Sequence, residues 1–281
     1  MITGRTRVAA VIGHPVAHSL SPALHNAGFA SLGLDWVYAA FDVAPGGAGA
    51  ALAAMRTLGL GGLSVTMPHK EDVAAAVDVL DPAAAALRSV NTVVALRDGR
   101  LAGHSTDGDG FVASMVAAGH PIEGRAVCVL GAGAAARSIV EALARNKAAA
   151  VVVVNRSADG AGVAAALGGR IGRVGSAADL GAADVVVNAT SLGMGTRELP
   201  LDPSLLHEDH VVADIVYHPR RTALLDVAAS IGADTVDGLG MLVHQAAMQQ
   251  ALWTGRTPDV AAMHAAAERE LAAREAAAGR R

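Results

Sequence analysis

Val127-Cys128-Val129-Leu130-Gly131-Ala132-Gly133-Ala134-Ala135-Ala136 is the stretch whose reading decides the fold. A short apolar run of strand length turns through a G-x-G-x-x-A loop into an Ala-rich helical stretch that continues to Ala144. The first glycine permits a tight turn, the second lets backbone approach a pyrophosphate, and the small third residue lets helix and strand pack closely. Phosphates then rest on the helix N-terminus, with Gly131, Ala132, Gly133, Ala134 and Ala135 as the cradle. In a chain with 32 glycines a tight turn without a ligand is the plain alternative. The order strand, glycine loop, helix favours the dinucleotide reading.

The next strand, Val151–Val154, selects the cofactor. An NAD site usually ends this strand in Asp or Glu, which binds the ribose hydroxyls. Here the strand runs into Asn155-Arg156-Ser157. Arg156 offers a planar cation suited to a 2′-phosphate, and Asn155 and Ser157 can donate hydrogen bonds to it. NADP is the expected cofactor, against the plain alternative of a solvated arginine in a turn.

Outward from this unit the pattern repeats. Val8–Ile12, Val37–Val43 and Gly62–Thr66 read as strands, alternating with helices over Pro22–Leu32 and Ala48–Leu58. Asp81-Pro82 is a cap with proline in the first turn of a further helix. Thr92–Leu96 and Arg100–Gly103 read as a hairpin around Asp98-Gly99. Val185–Asn188 and Val211–Asp214 are later strands, and Gly240–Trp253 and Pro258–Ala278 are helical, with an Ala/Glu/Arg-rich end expected to fray. The predicted fold class is α/β in two lobes: residues 1–106, then 107–237, with helices over 238–281 returning to the first lobe.

Composition agrees. Hydrophobic residues make up 52% and aromatics 2%, so the cores must be built from Ala, Val, Leu and Ile. Net charge is −4, from 22 Lys+Arg against 26 Asp+Glu, with no basic tract to suggest a nucleic-acid partner. No apolar run reaches the roughly 20 residues that span a bilayer. The start reads as a first strand rather than a signal peptide. Cys128 is the only cysteine, expected to be a buried and inert thiol, and a cytoplasmic location fits. The 11 histidines show no metal-ligand spacing, and none is implied to bind metal.

The chemistry-bearing residues gather after the strands, where ligands collect in α/β proteins. Gly13-His14-Pro15-Val16-Ala17-His18-Ser19-Leu20-Ser21 is rich in hydroxyls and imidazoles. Ser19 and Ser21 can donate to a carboxylate, although Ser21 is also placed to cap the helix at Pro22. Thr66-Met67-Pro68-His69-Lys70 follows the next strand, where a lysine is commonly just a solvated cation. Asn91 has an ordinary turn role as its rival. Asp107 has helix capping as its rival, unless Asp109 takes that task.

These segments, with Asn188-Ala189-Thr190-Ser191-Leu192-Gly193-Met194, Asp214-Ile215-Val216-Tyr217-His218-Pro219 and Gly238–Gln245, resemble the successive motifs of the shikimate dehydrogenase family, in order and over nearly the whole chain. The resemblance implies a substrate lobe and a Rossmann-type NADP lobe with the active site in the cleft between them. It implies reversible reduction of 3-dehydroshikimate to shikimate in aromatic amino-acid (chorismate) biosynthesis. Lys70 and Asp107 would be the catalytic pair. Ser19 and Ser21 would bind the substrate carboxylate, with Tyr217 nearby, and Thr66, Asn91 and Gln245 would hold ring hydroxyls. Thr190, Ser191 and Met194 would line the nicotinamide side, and Gly238 would border its ring. Ser64 and Ser105 stand where the family commonly has Asn, and His69 where it often has an apolar or aromatic residue. His69 is then either a rim residue or a modifier of substrate preference. A quinate/shikimate enzyme of broader substrate or cofactor use is the near alternative, and a non-catalytic NADP-binding sensor the distant one. Small molecules are the expected partners, with the chain a monomer or homodimer.

Overall fold

The computed structural model describes residues 2–278. Two compact units form, Met1–Thr106 with Gln245–Arg281, and Asp107–His244. The division falls between His244 and Gln245, inside the helix Gly238–Thr254, against the expected boundary at 237/238. The expected fraying falls at residues 279–281, outside the described residues.

The first unit runs β1 (Arg7–Gly13), α1 (Ser21–Ser31), β2 (Trp36–Asp42), α2 (Ala48–Leu58), β3 (Gly62–Val65), α3 (Lys70–Ala76), β4 (Val79–Leu80), α4 (Pro82–Leu87), β5 (Thr92–Ala95) and β6 (Leu101–His104). The second runs α5 (Asp107–Ala117), β7 (Ala126–Leu130), α6 (Ala134–Arg145), β8 (Ala150–Val154), α7 (Ala158–Ala166), β9 (Gly172–Val174), β10 (Val185–Asn188), β11 (Val211–Asp214), α8 (Ala223–Ser230), β12 (Asp234–Val236) and the start of α9 (Gly238–Thr254). The rest of α9 and α10 (Val260–Ala278) belong to the first unit.

The first sheet is ordered β2-β1-β3-β5-β6-β4. β1 is parallel to β2 and β3, while β5 is antiparallel to β3 and β6. Side chains of a strand alternate between faces. Ala10 and Ile12 therefore pack with Leu52, Met55, Leu63 and Val73 on one side. Ala9 and Val11 pack with Phe29, Tyr38 and Trp253 on the other. Each fully buried aliphatic of this size contributes roughly 1.5–3 kcal/mol. Gly62 is needed beneath Trp253, since a Cβ there would lie 2.3 Å from the indole. The Asp98-Gly99 hairpin forms with Gly99 at φ +85°, and the Asp81 carboxylate caps α4 by accepting from the Ala84 N–H at 2.6 Å.

The second sheet is parallel throughout, ordered β12-β11-β10-β7-β8-β9. Counted along its own strands from the far end this is 3-2-1-4-5-6, the Rossmann order, whose ligand crevice lies beyond the carboxyl ends of β7 and β10. Its strands are valine runs because both faces are covered: Val127, Val129, Val151, Val153, Val185 and Val187 face one core cluster, and Cys128, Val186 and Val212 face the other.

In the first unit His25 is fully buried and stacked on Tyr38 with ring centroids 4.1 Å apart. Gln250 Nε2 lies 3.1 Å from its Nδ1. Burial lowers the His25 pKa from 6.5 to about 3, so the ring is neutral in the folded state. Because the folded pKa is depressed, the unfolded chain takes up the extra proton as pH falls below 6.5. Folding then weakens by about 1.4 kcal/mol per pH unit from this group alone. Urea unfolding of His25→Phe between pH 6.5 and 4.5 should show a shallower loss of stability by about one proton than wild type; equal slopes would contradict the assignment.

Candidate active site

In the second unit, the turn after β7 is built for close backbone approach. Gly131 has φ +110°, and a Cβ on it would sit 2.8 Å from the Ala189 carbonyl oxygen. Nothing lies within 4 Å of where a Cβ of Gly133 would be, so that side is open to a ligand. Ala136 is fully buried, which lets α6 lie tight on the sheet. Gly133 is the N-cap of α6 and supplies no side-chain cap, so the first-turn N–H groups remain for an anion. After β8, Asn155 Nδ2 donates to the Ser157 carbonyl at 3.1 Å, and Ser157 Oγ accepts from the Gly160 N–H at 3.2 Å as the cap of α7. Both residues thus build the turn that presents the exposed Arg156, and the Ser157 hydroxyl proton remains to donate. Asp159 follows in the first turn of α7. The donor set and the open glycine fit a dinucleotide whose pyrophosphate rests on α6.

The third element of this crevice is the loop after β10. Asn188 is fully buried; its Oδ1 accepts from the Thr190 N–H and hydroxyl at 3.1 and 2.7 Å, and its Nδ2 donates to Asp214 at 2.9 Å. Asp214 also accepts from Thr222 Oγ1 at 2.7 Å and from the Val216 N–H at 3.0 Å. Burial raises the Asp214 pKa, and these hydrogen bonds oppose the shift. Thr190 is half-buried, while Ser191 and Met194 are exposed. Tyr217 lies half-buried just after Asp214. A Cβ on Gly238 would lie 2.3 Å from the Ile215 carbonyl oxygen, so only glycine lets α9 start against that loop.

In the first unit the candidate polar residues lie on the segments after β1 and β3, before β5 and on α9. Ser19 Oγ accepts from the Ser21 N–H at 3.2 Å. Ser21 is the first residue of α1 and makes no capping bond; the N-cap is Leu20. Its hydroxyl is therefore not spent as the capping reading expected. Thr66 follows β3, and its methyl leaves space only for glycine at position 13. Lys70 is half-buried and opens α3, and its carbonyl accepts from the Val90 N–H at 3.0 Å. That bond ties it to the segment carrying Asn91. Asn91 is buried, and its Oδ1 accepts from the Thr106 N–H at 2.9 Å while its Nδ2 donates to Thr106 Oγ1 at 2.9 Å. The buried Gln245 accepts at Oε1 from Gln249 Nε2 at 2.8 Å.

Two expectations need correction. His69 is fully buried and lies 2.7 Å from the Val43 carbonyl oxygen through Nε2, so it is neither at the rim nor exposed to a substrate. Asp109 is paired with Arg145 at 2.8 Å instead of capping a helix, because α5 already begins at Asp107. Ser64, where the family commonly has Asn, is buried and hydrogen-bonded to Tyr38 and Gln249. Sequence reasoning missed Tyr38, Gln249, Asn188 and Asp214 as site-building groups. A polar residue inside an otherwise apolar strand was the available signal for Ser64, Asn188 and Asp214.

Among the described residues no group of three or more His, Cys, Asp or Glu side chains is placed to hold a metal ion. Asp107 is set by its neighbour Gly108, where a Cβ would lie 2.1 Å from the Ser138 carbonyl oxygen and 2.7 Å from Ala142. The α5 and α6 backbones touch there, so Gly108→Ala must push α5 and its first residue outward. Overpacking of this kind costs about 1–3 kcal/mol. Thermal melting should show that loss together with at least a tenfold drop in turnover; a variant with wild-type melting and rate would refute the close approach.

The comparisons bear on the whole chain. A family model described as the shikimate dehydrogenase substrate binding domain matches residues 11–93, one described as shikimate / quinate 5-dehydrogenase matches 113–194, and one described as the shikimate 5′-dehydrogenase C-terminal domain matches 238–268. A shikimate dehydrogenase (NADP(+)) of Moorella thermoacetica is 43% identical over 274 residues, spanning 93% of this chain and 92% of the relative. The structure of a Thermus thermophilus shikimate 5-dehydrogenase in complex with NADP(H) and shikimate is similar, with TM-score 0.89 and 37% identity over 94% of this chain and 99% of that one. A Corynebacterium glutamicum quinate dehydrogenase in complex with NAD is also similar, with TM-score 0.86 and 32% identity over 93% and 98%. The chain belongs to the shikimate dehydrogenase family.

Proposed function

We propose that this chain catalyses the reversible, NADP-dependent reduction of 3-dehydroshikimate to shikimate, an oxidoreductase step on a CH–OH group that serves aromatic amino-acid biosynthesis. What supports the reading is the placement of Ser19, Ser21, Thr66 and Lys70 on the segments that follow β1 and β3, with the Asn91 carbonyl bonded to the Val65 N–H and Gln245 linked to Asn91 through Gln249. That set matches a small acid bearing several hydroxyls, in a chain that also holds an anion cradle at α6 and Arg156 for a 2′-phosphate.

Ser19 and Ser21 bind the carboxylate with hydroxyl donors, and Tyr217 adds its phenol. Thr66, Asn91 and Gln245 hold the ring hydroxyls. When bound, the nicotinamide supplies or accepts a hydride at the ring carbon that carries the reacting oxygen. Lys70, as an ammonium, stabilises the negative charge that grows on that oxygen and delivers the proton it needs. In oxidation the neutral amine takes the proton back. Asp107 hydrogen-bonds the same oxygen's hydroxyl form and orients it. Gly131, Ala132, Gly133, Ala134 and Ala135 hold the pyrophosphate, and Asn155, Arg156 and Ser157 the 2′-phosphate end. Thr190, Ser191, Met194 and Gly238 flank the nicotinamide.

The likeness to a quinate dehydrogenase supports a second reading, in which quinate or NAD is also used. All residues of the proposed site come from one chain, which is compatible with a monomer or a homodimer. No described helix is long and apolar enough to cross a membrane. Burial pushes the Cys128 thiol up to about 12, consistent with an inert cysteine; a cytoplasmic location is part of the proposal.

General acid–base groups contribute about 10²–10⁴-fold in rate. Lys70→Ala should lose turnover by that order while its NADPH affinity, read by fluorescence titration, stays near wild type. A variant with full turnover would reject the role of Lys70.

A further inference from the structure

Between the two ends of the substrate half-site runs a line of buried polar groups that the mechanism leaves without a task. Tyr38, Ser64 and Gln249 are 3%, 5% and 2% exposed. Tyr38 O–H donates to Ser64 Oγ at 2.6 Å, and Ser64 O–H donates to Gln249 Oε1 at 2.5 Å. Gln249 Nε2 donates to Gln245 Oε1 at 2.8 Å and reaches the Asn91 carbonyl oxygen at 3.4 Å. The Ser21 hydroxyl interacts with the Tyr38 phenol at the other end.

The direction of this line follows from one fixed group. Amide oxygen and nitrogen can be exchanged by a flip, and hydroxyls rotate, so neither Gln decides its own orientation. A backbone carbonyl can only accept. The Gln249 atom that faces the Asn91 carbonyl is therefore the nitrogen, and its oxygen faces Ser64. The Gln245 atom that faces the same nitrogen must then be its oxygen. Ser64, having given its proton to Gln249, can only accept from Tyr38. Every donor in the chain is set by the Asn91 carbonyl.

We propose that Gln249 and Ser64 are positioning residues that lock the Gln245 amide so that it meets the substrate with its N–H group, selecting a ligand with an acceptor oxygen at that ring position. The inference rests on the reading that Gln245 touches the substrate. It makes specificity a matter of proton direction as well as shape. A ring hydroxyl accepts from Gln245, whereas hydrogen or an ammonium in its place does not.

Ser64→Ala and Gln249→Met remove the link at two points with little change of volume, and Ser64→Thr keeps the hydroxyl. Gln245→Ala serves as the control for the underlying reading. Each protein is assayed with shikimate and with analogues lacking one ring hydroxyl at a time, alongside the KM for NADP and the melting midpoint. A net hydrogen bond to a buried partner corresponds to roughly a 2–13-fold effect. Ser64→Ala and Gln249→Met should raise the KM for shikimate by that factor with the KM for NADP unchanged. Wild type should discriminate strongly against one deoxy analogue, that discrimination should shrink in both variants, and Ser64→Thr should restore it. If Gln245→Ala shows the effect and folded Ser64→Ala or Gln249→Met keeps wild-type discrimination, the locking is overturned while the site reading stands. If Gln245→Ala leaves shikimate KM and discrimination unchanged, the site reading fails and the inference falls with it.

Discussion

A buried amide must find partners on both its oxygen and its nitrogen, and in the first unit Asn91 meets that demand by tying together separate pieces of chain. Its carbonyl accepts from the Val65 N–H at 2.8 Å, and its N–H donates to the His104 carbonyl at 3.0 Å. Its side chain grips Thr106 and also accepts from Thr92 Oγ1 at 2.8 Å. β3, β5, β6 and the residue before Asp107 are thus held at one point. An orphaned buried amide costs about 1–3 kcal/mol, so this arrangement has a steep alternative. Thr66 follows the strand joined at that point, and Gln245 reaches it through Gln249.

The second unit solves a different problem, binding a large polyanion with little side-chain charge. The cradle is backbone: an uncapped helix start, a glycine at positive φ, and a second glycine facing open space. Side chains act behind it. Asn188 and Asp214 join the loops after β10 and β11 through a buried carboxylate that accepts from Asn188 Nδ2, the Val216 N–H and Thr222 Oγ1. Such a network is costly if half-satisfied and rigid if complete. The complete form suits loops that must present Thr190 and Tyr217 in fixed places.

The valine runs β7, β8, β10 and β11 were legible because strands covered on both faces need no polar alternation. β4, β9 and β12 were not, because strands of two or three residues are too short to carry a periodic signal. The glycine loop and the hydroxyl-rich segments could be read as candidate sites from local order. Their roles came from resemblance, since spacing alone left Ser21, Lys70, Asn91 and Asp107 with structural rivals. The structure removes the capping rival for Ser21 and gives Asn91 a structural role beside its proposed binding role. Ser64 stood out in the sequence, but its link to Tyr38 and Gln249 did not, because Ser64 and Gln249 meet across 185 positions and nothing in either neighbourhood announces the other. His69 misled for the opposite reason: its place beside Lys70 suggested the site, yet packing turns it to the Val43 carbonyl.

The central claim is that this half-site and this cradle serve shikimate and NADP. Initial rates of NADP reduction with shikimate, beside matched assays with quinate and with NAD, test it most directly. The account predicts strong activity with shikimate and NADP and at least tenfold weaker kcat/KM when either is replaced. No turnover with shikimate by folded protein that still binds NADPH would contradict it.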